Sequence, residues 1–400
     1  MPWRSGPVDA KWALISDVEE RGLTVEQAAA NHGVKRTCAH KWLARYREFG
    51  LAGLEELSRA PYSRPLQSDA QKVKDLLELK AKHPDYGPAK LVAMLEEQAG
   101  CHFLAASTAG EILARHGMVK KRRPRRRGAG LIEHPPFTIP GPGHSMTTDY
   151  KGQFRMGNGR YCYPLTIVEP VSRYVFDIAA RTSTATTLAK PVFEHVFRDY
   201  GVPMQIISDN GSPFSSSGSL GGLTELSKWW IDLGSTPVRI EPGQPQQNGR
   251  HERMHRTLKD RITASPQPNL RQQQQLFDRF REEFNHVRPH QSLGQKTPGS
   301  LLHPYSLQYP TKLRQAEYSA LHTPRYVRSN GQIKWKGQFV FLTEVLIGEP
   351  VGLLQIDAAL HEIYYRHVRI GYLDDRTMRA SNAKPTQQPT VDDHLDTDEK

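Results

Sequence analysis

At Gly143 the sequence turns from helical to strand-like, and from there to about Leu293 strands and helices succeed one another in a pattern that few folds accommodate. "HSMTTDYKGQF", "RYCYPLTIVEP" and "RYVFDIAAR" are rich in β-branched and aromatic residues, and Gly157-Asn158-Gly159 makes the first hairpin turn. A helix follows, "TATTLAKPVFEHVFRDYG", with Pro191 a mild objection to its continuity. Then come a short apolar strand, "PMQIISD", a helix, "GGLTELSKWWIDLG", and another strand, "TPVRIEP". Closing helices end in residues 269–293, where Leu276, Phe280, Phe284 and Val287 keep helical spacing. Three antiparallel strands followed by alternating helices and strands predict a mixed α/β domain over residues 143–305.

The flanks read differently. Residues 8–50 predict three helices, within a domain spanning 1–57. Thr24 with Gln27 forms a capping-box pattern, Ala28 to Ala30 allow close packing, and Gly33 permits a tight turn. The helix after that turn presents Lys35, Arg36, Thr37, His40 and Lys41, anchored by Trp42, Leu43 and Tyr46. This is the helix-turn-helix pattern, although an ordinary helical hairpin reads the same way. After a Pro/Ser-rich linker, residues 66–119 predict a second three-helix unit, with Pro88 at a helix start and Ser107 or Thr108 as a cap. It runs into "KKRRPRRR" (120–127), where Lys120, Lys121, Arg122, Arg123, Arg125, Arg126 and Arg127 form a basic arm within a linker over 120–142. Directly behind a helix-turn-helix, such a run suits DNA phosphates better than mere solvation. Short strands around Ser329-Asn330-Gly331 and Gly337 predict a small SH3-like β-barrel over 320–375, followed by a disordered acidic tail over 380–400.

Charge agrees with a polyanionic partner. The 54 Lys and Arg exceed the 42 Asp and Glu, a net charge of +12, and most of the excess precedes residue 128. Cys38, Cys101 and Cys162 lie far apart, which argues against a disulfide framework and a Cys-rich zinc module. The apolar runs are too short to span a membrane and the N-terminus lacks a signal-peptide core, so a soluble, intracellular protein in a reducing compartment is expected.

Three acids stand out within the α/β region. Asp149 falls inside the first strand, and Asp209 ends a buried strand beside a Gly/Ser loop, the sheet edge where open α/β folds bind ligands. Glu252 is a lone carboxylate in "QPQQNGRHERMHRTLK", in the first turn of a helix opened by Asn248-Gly249. At helical spacing Met254, Leu258 and Ile262 form an apolar stripe, while Glu252, Arg256 and Lys259 share the opposite face. Each acid alone has an ordinary explanation: an edge charge, an Asx turn, a surface ion pair. Together they form an acidic cluster suited to hard divalent cations, with Arg256 and Lys259 beside it for a nucleic-acid backbone.

"TTDYKGQF", "SDNGSPF" and "GQPQQNGRHERMHRTLK" resemble the three motifs of bacterial insertion-sequence transposases with a retroviral-integrase-type DDE core, and "FNHVRPHQSLGQKTP" is similar to the end of that core. The likeness runs from "KWLARYREFG" through "HPDYGPAKL" to about residue 305. It implies an RNase H-like fold, a metal triad of Asp149, Asp209 and Glu252, two Mg²⁺ or Mn²⁺ ions, and self-assembly as a homo-oligomer on double-stranded DNA, both transposon ends and target. One ion is expected between Asp149 and Asp209 and the other between Asp149 and Glu252. The implied chemistry is hydrolysis at the element's 3′ end followed by joining of that 3′-OH to target DNA. Arg256 and Lys259 match positions that contact the element's end. His251 and His255 invite a general-base role, but phosphate contact or helix capping is the expectation. Asp209 and Glu252 stand 43 residues apart, longer than the family's usual spacing, with the excess in "SSSGSLGG" (215–222), expected to be a loop. Met146 occupies a position where the family often has Trp, and the zinc module of retroviral integrases has no counterpart here. A DNA-binding regulator that keeps the fold without transposing is the competing class.

Overall fold

The computed structural model describes residues 8–56, 67–119, 138–241, 249–264 and 266–385. The chain divides into two units, Met1–Asp69 and Ala70–Lys400. In the first, α1 (Val8–Glu19), α2 (Val25–Asn31) and α3 (Arg36–Phe49) enclose Leu14, Ile15, Ala28, Ala29, Ala39, Trp42, Leu43 and Leu54. The capping box forms: the Thr24 hydroxyl accepts from the Gln27 amide, and the Gln27 side chain accepts from the Thr24 amide. Gly33 turns the chain with φ 63°, in the left-handed region glycine tolerates.

The second unit opens with α4 (Ala70–Lys82), α5 (Pro88–Ala99) and α6 (Ala106–Arg115). Pro88 starts α5 as expected, but Ala105 holds the cap position of α6. Ser107 and Thr108 therefore lie inside its first turn. The "HPDYG" stretch between α4 and α5 docks these helices on the rest of the unit. Tyr86 is buried and donates to Glu283 Oε1 at 2.8 Å. His83 stacks on its ring at 4.6 Å, and Arg288 pairs with Asp85 at 2.7 Å.

The central sheet is built from β1 (Ser145–Tyr150), β2 (Phe154–Arg155), β3 (Tyr161–Val168), β4 (Val175–Arg181), β5 (Gln205–Ser208) and β6 (Thr236–Arg239). β3 runs antiparallel to both β1 and β4, and short β2 joins its start. β5 lies parallel to β1, and β6 parallel to β5. The order β4-β3-β1-β5-β6 is the mixed sheet expected from the sequence.

Helices cover both faces. α7 (Thr186–Tyr200), with Pro191 exposed inside it, and α8 (Glu225–Asp232) cover one face, burying Leu165, Ile167, Phe193, Phe197 and Trp230. α9 (Gly249–Ala264) and α10 (Leu270–Glu282) cover the other, with Val168, Ile178, Met254, Leu258, Phe277, Phe280 and Phe284. α10 runs into a π-helical turn, Glu283–Val287, which rotates the helix face. Phe277, Phe280 and Phe284 are buried, whereas Leu276 is half-buried and Val287 is exposed, a phase the simple helical spacing misses.

The last strands are β7 (His322–Tyr326), β8 (Gln332–Trp335), β9 (Gln338–Phe341), β10 (Pro350–Asp357), β11 (Leu360–Tyr365), β12 (Val368–Asp374) and β13 (Arg379–Ser381). They form a five-stranded sheet, β13-β12-β11-β10-β7, and a separate β8–β9 hairpin around one core. Among the described residues the pairings leave β13 and β7 as open edges, so no closed barrel forms. β13 also occupies the start of the expected disordered tail; residues 386–400 lie outside the described residues.

The stretch 215–222 is more than a connecting loop. Leu220, with Leu223 and Ile231, is buried in the core of this C-terminal β domain. The Ser219 hydroxyl meets Thr343 Oγ1 at 2.8 Å, and the Gly221 amide donates to Asn382 Oδ1 at 2.6 Å. On α8, Asp232 accepts from Arg366 Nε at 2.7 Å, from the Tyr365 hydroxyl at 2.6 Å and from Lys228 at 3.0 Å.

Candidate active site

The sheet register brings the two aspartates side by side. Thr147 of β1 pairs with Ile207 of β5, and Asp149 and Asp209 each lie two residues beyond that pair. Leu165 and Ile167 of β3 point to the α7/α8 side, so Thr166, the register partner of Asp149, faces α9. Asp209 Oδ1 accepts the Gly211 amide at 3.1 Å, which fixes the carboxylate where the chain leaves β5. Glu252 stands exposed in the first turn of α9, where the positive end of the helix favours a carboxylate.

Electrostatics shows that the three acids share one region. Burial pushes the Asp149 carboxyl up to about 7; Asp209 and Glu252 push in the same direction, against the Tyr150 amide and Lys151. The donor set suits hard divalent cations, because ionised oxygens crowded together out of water call for positive charge. Among the described residues no three His, Cys, Asp or Glu side chains already close on one point. The acids are thus neighbours without being a finished cage.

His251 and His255 do not lie where phosphate contact or capping would place them. They are 1% and 5% exposed, on the inward face of α9 with Met254 and Leu258. Burial drives His251 down to about 3, and burial together with His251 and Lys151 drives His255 down to about 2, so both rings are neutral. His251 Nδ1 meets Thr147 Oγ1 at 2.9 Å and its Nε2 meets Thr166 Oγ1 at 2.6 Å. His255 Nε2 meets the same Thr166 oxygen at 2.7 Å, and His255 Nδ1 lies 3.5 Å from Asp149 Oδ2. Sequence reading missed Thr147 and Thr166. The inward turn of the histidines was readable, since 251, 254, 255 and 258 fall at i, i+3, i+4 and i+7.

Arg256 and Lys259 are exposed on the same outer face as Glu252. In the first unit Lys35, Arg36, Thr37, His40 and Lys41 are all exposed at the start of α3, and Arg36 pairs with Glu26. Lys120, Lys121, Arg122, Arg123, Arg125, Arg126 and Arg127 lie outside the described residues. No helix among the described residues is long and apolar enough to cross a membrane.

Comparison with known proteins gives the same picture. Residues 140–245 and 233–298 each match a model of the integrase core domain. Residues 7–55 and 38–113 match homeodomain-like domains. The chain is 32% identical to the Gag-Pol polyprotein of woolly monkey sarcoma virus over 26% of its own length, a stretch that spans 6% of that polyprotein. It is 24% identical to the insertion element IS476 uncharacterized 39.2 kDa protein of Xanthomonas euvesicatoria, covering 72% of this chain and 81% of that one. With the insertion element IS407 uncharacterized 31.7 kDa protein of Burkholderia multivorans it is again 24% identical, over 56% and 77%. Among solved structures, a chain of the simian T-cell lymphotropic virus intasome, in complex with the PP2A regulatory subunit B56 gamma, aligns over 72% of this chain and 91% of its own at 18% identity and TM-score 0.36. By its integrase-core and homeodomain-like matches and its alignment along most of two insertion-element proteins, the chain resembles bacterial insertion-sequence transposases with an integrase-type core.

Proposed function

We propose that the protein binds the terminal inverted repeats of its own element, cleaves at the 3′ ends and joins the resulting 3′-OH to target DNA, acting as a homo-oligomer in the cytoplasm. What supports this reading is the register that sets Asp149 and Asp209 side by side at the end of the central strands, with Glu252 in the first turn of α9 near enough to help raise the Asp149 carboxyl. These three would hold two Mg²⁺ or Mn²⁺ ions, which when bound supply positive charge to the scissile phosphate and acidify the attacking hydroxyl. Arg256 and Lys259, outward on α9, hold the DNA backbone against that edge, and His251 and His255, buried, engaged by Thr166 and lowered in proton affinity, leave general-base work to other groups. Lys35, Arg36, Thr37, His40 and Lys41 on α3 read the repeat, while the basic arm over 120–127 follows its phosphates. The helical domains (1–57 and 66–119) thus recognise DNA, the core (143–305) reacts, and the β domain (320–375) braces the core.

The test is strand transfer with a labelled terminal-repeat duplex, a target plasmid and Mg²⁺ or Mn²⁺. Wild type is expected to give joined products, and Glu252→Gln to lose them by about a hundredfold or more, since charge stabilisation is worth several kcal/mol. Repeat binding without nicking or joining by either protein would instead identify a DNA-binding regulator.

A further inference from the structure

The buried polar cluster between α9 and the sheet contains more order than burial requires. Thr166 Oγ1 touches three groups: the Asp149 carbonyl at 2.8 Å, His251 Nε2 at 2.6 Å and His255 Nε2 at 2.7 Å. A hydroxyl has one proton and two acceptor sites. The carbonyl can only accept, so the Thr166 proton goes to it; otherwise two oxygens with lone pairs would face each other at 2.8 Å. Both imidazoles must then donate through Nε2–H to the Thr166 oxygen. This assignment leaves His251 Nδ1 as an acceptor for the Thr147 hydroxyl at 2.9 Å, whose proton is shared with the Val168 carbonyl at 3.2 Å.

We propose that Thr166 is a positioning residue for the reaction: its hydroxyl fixes both imidazoles in the Nε2–H form and ties the strand carrying Asp149 to the helix carrying Glu252. Asp149 comes from β1, Thr166 from β3, and both histidines from α9, one on each side of Glu252 in sequence. One oxygen therefore sets the distance between two acids that no direct contact joins. A wholly apolar contact would leave the helix free to slide or rotate by a fraction of a turn, whereas two directional hydrogen bonds from the imidazoles to Thr166 hold it in register. The positioning role rests on the catalytic reading above; the tautomer assignment does not.

The experiment compares full-length wild type, Thr166→Val and Thr166→Ser on the terminal-repeat duplex, together with two-bond proton–nitrogen spectra of ¹⁵N-histidine protein. The two rings are identified by their loss in His251→Gln and His255→Gln. Both are expected as neutral Nε2–H tautomers in wild type. Thr166→Val is expected to lower kcat by about tenfold or more with KM changed less than about twofold, because misplacement of the acids reaches the chemical step and not DNA binding. Thr166→Ser, which keeps the hydroxyl, restores most of the rate and the spectrum. Nδ1–H tautomers in wild type, unchanged kcat in Thr166→Val, or a serine variant as slow as the valine one would each overturn the proposal. If Thr166→Val does not fold, the wild-type spectrum and the serine variant decide. If wild type itself cleaves no DNA, the catalytic reading and its positioning corollary fall, and the spectrum still judges the hydrogen-bond assignment.

Discussion

Asp149 is drawn out of water toward two other carboxylates, and its proton affinity records the conflict. With the carboxyl raised from 3.8 to about 7, the folded protein binds that proton more tightly than the unfolded chain does. Its contribution to stability is complete below pH 4 and is lost as pH rises to 7, at about 1.4 kcal/mol per unit of difference between the two pKa values. Without divalent metal, Asp149→Asn is therefore expected to melt above wild type at pH 8, with the gap closing toward pH 4. If the acids hold divalent metal as proposed, added Mg²⁺ or Mn²⁺ is expected to narrow the gap at pH 8 by stabilising wild type alone; thermal melts at the two pH values, with and without metal, check both. Asp149, Asp209 and Glu252 are legible in the sequence as candidates only as a set, because each acid alone has an ordinary explanation: an edge charge, an Asx turn, a surface ion pair. Thr147 and Thr166 are not legible. A threonine in a strand reads as a β-former, and its partners lie 104 and 85 residues away.

α9 shows how far helical spacing carries and where it stops. Met254 and Leu258 predict the buried stripe correctly, and the same period contains the two histidines, which residue type alone assigns to the surface. Leu258, 1% exposed, is packed against the sheet, so Leu258→Ala is expected to destabilise by about 2–5 kcal/mol. It should also slow strand cleavage in the protein that remains folded, because the helix seats Glu252; urea unfolding and single-turnover assays measure the two effects separately. The segment 215–222 escapes prediction for the opposite reason. Its small polar residues read as solvent-exposed, and Leu220 has no period to betray a remote core. Gly221 is the tight point: it holds φ +62°, and a Cβ there would stand 2.9 Å from the Cβ and carbonyl oxygen of Ile370. Gly221→Ala is expected to destabilise by about 1–3 kcal/mol, combining strain with overpacking, as read from urea unfolding.

At the scale of the whole molecule, the chain divides into two units. Residues 1–69 hold their own core, whereas the second helical set, the mixed sheet and the C-terminal β domain form one body. Removing residues 1–69 is expected to leave a soluble protein with a cooperative melt. Ending the chain near Tyr309 exposes Leu220, Leu223 and Ile231, which the β domain buries, and is expected to give aggregates by light scattering. The charge run and Pro-rich linker make the helical regions legible as DNA-binding domains. The docking of "HPDYG" on Glu283 and Arg288 is invisible until the chain folds.

The buried Leu220 also bears on inheritance. The interval between the second and third acids carries the socket for a domain encoded more than a hundred residues later. A recombination event that exchanged the C-terminal domain between two such genes would separate plug from socket unless the interval travelled with it. An insertion or deletion within that interval is therefore expected to unseat Leu220 unless the β domain changes with it.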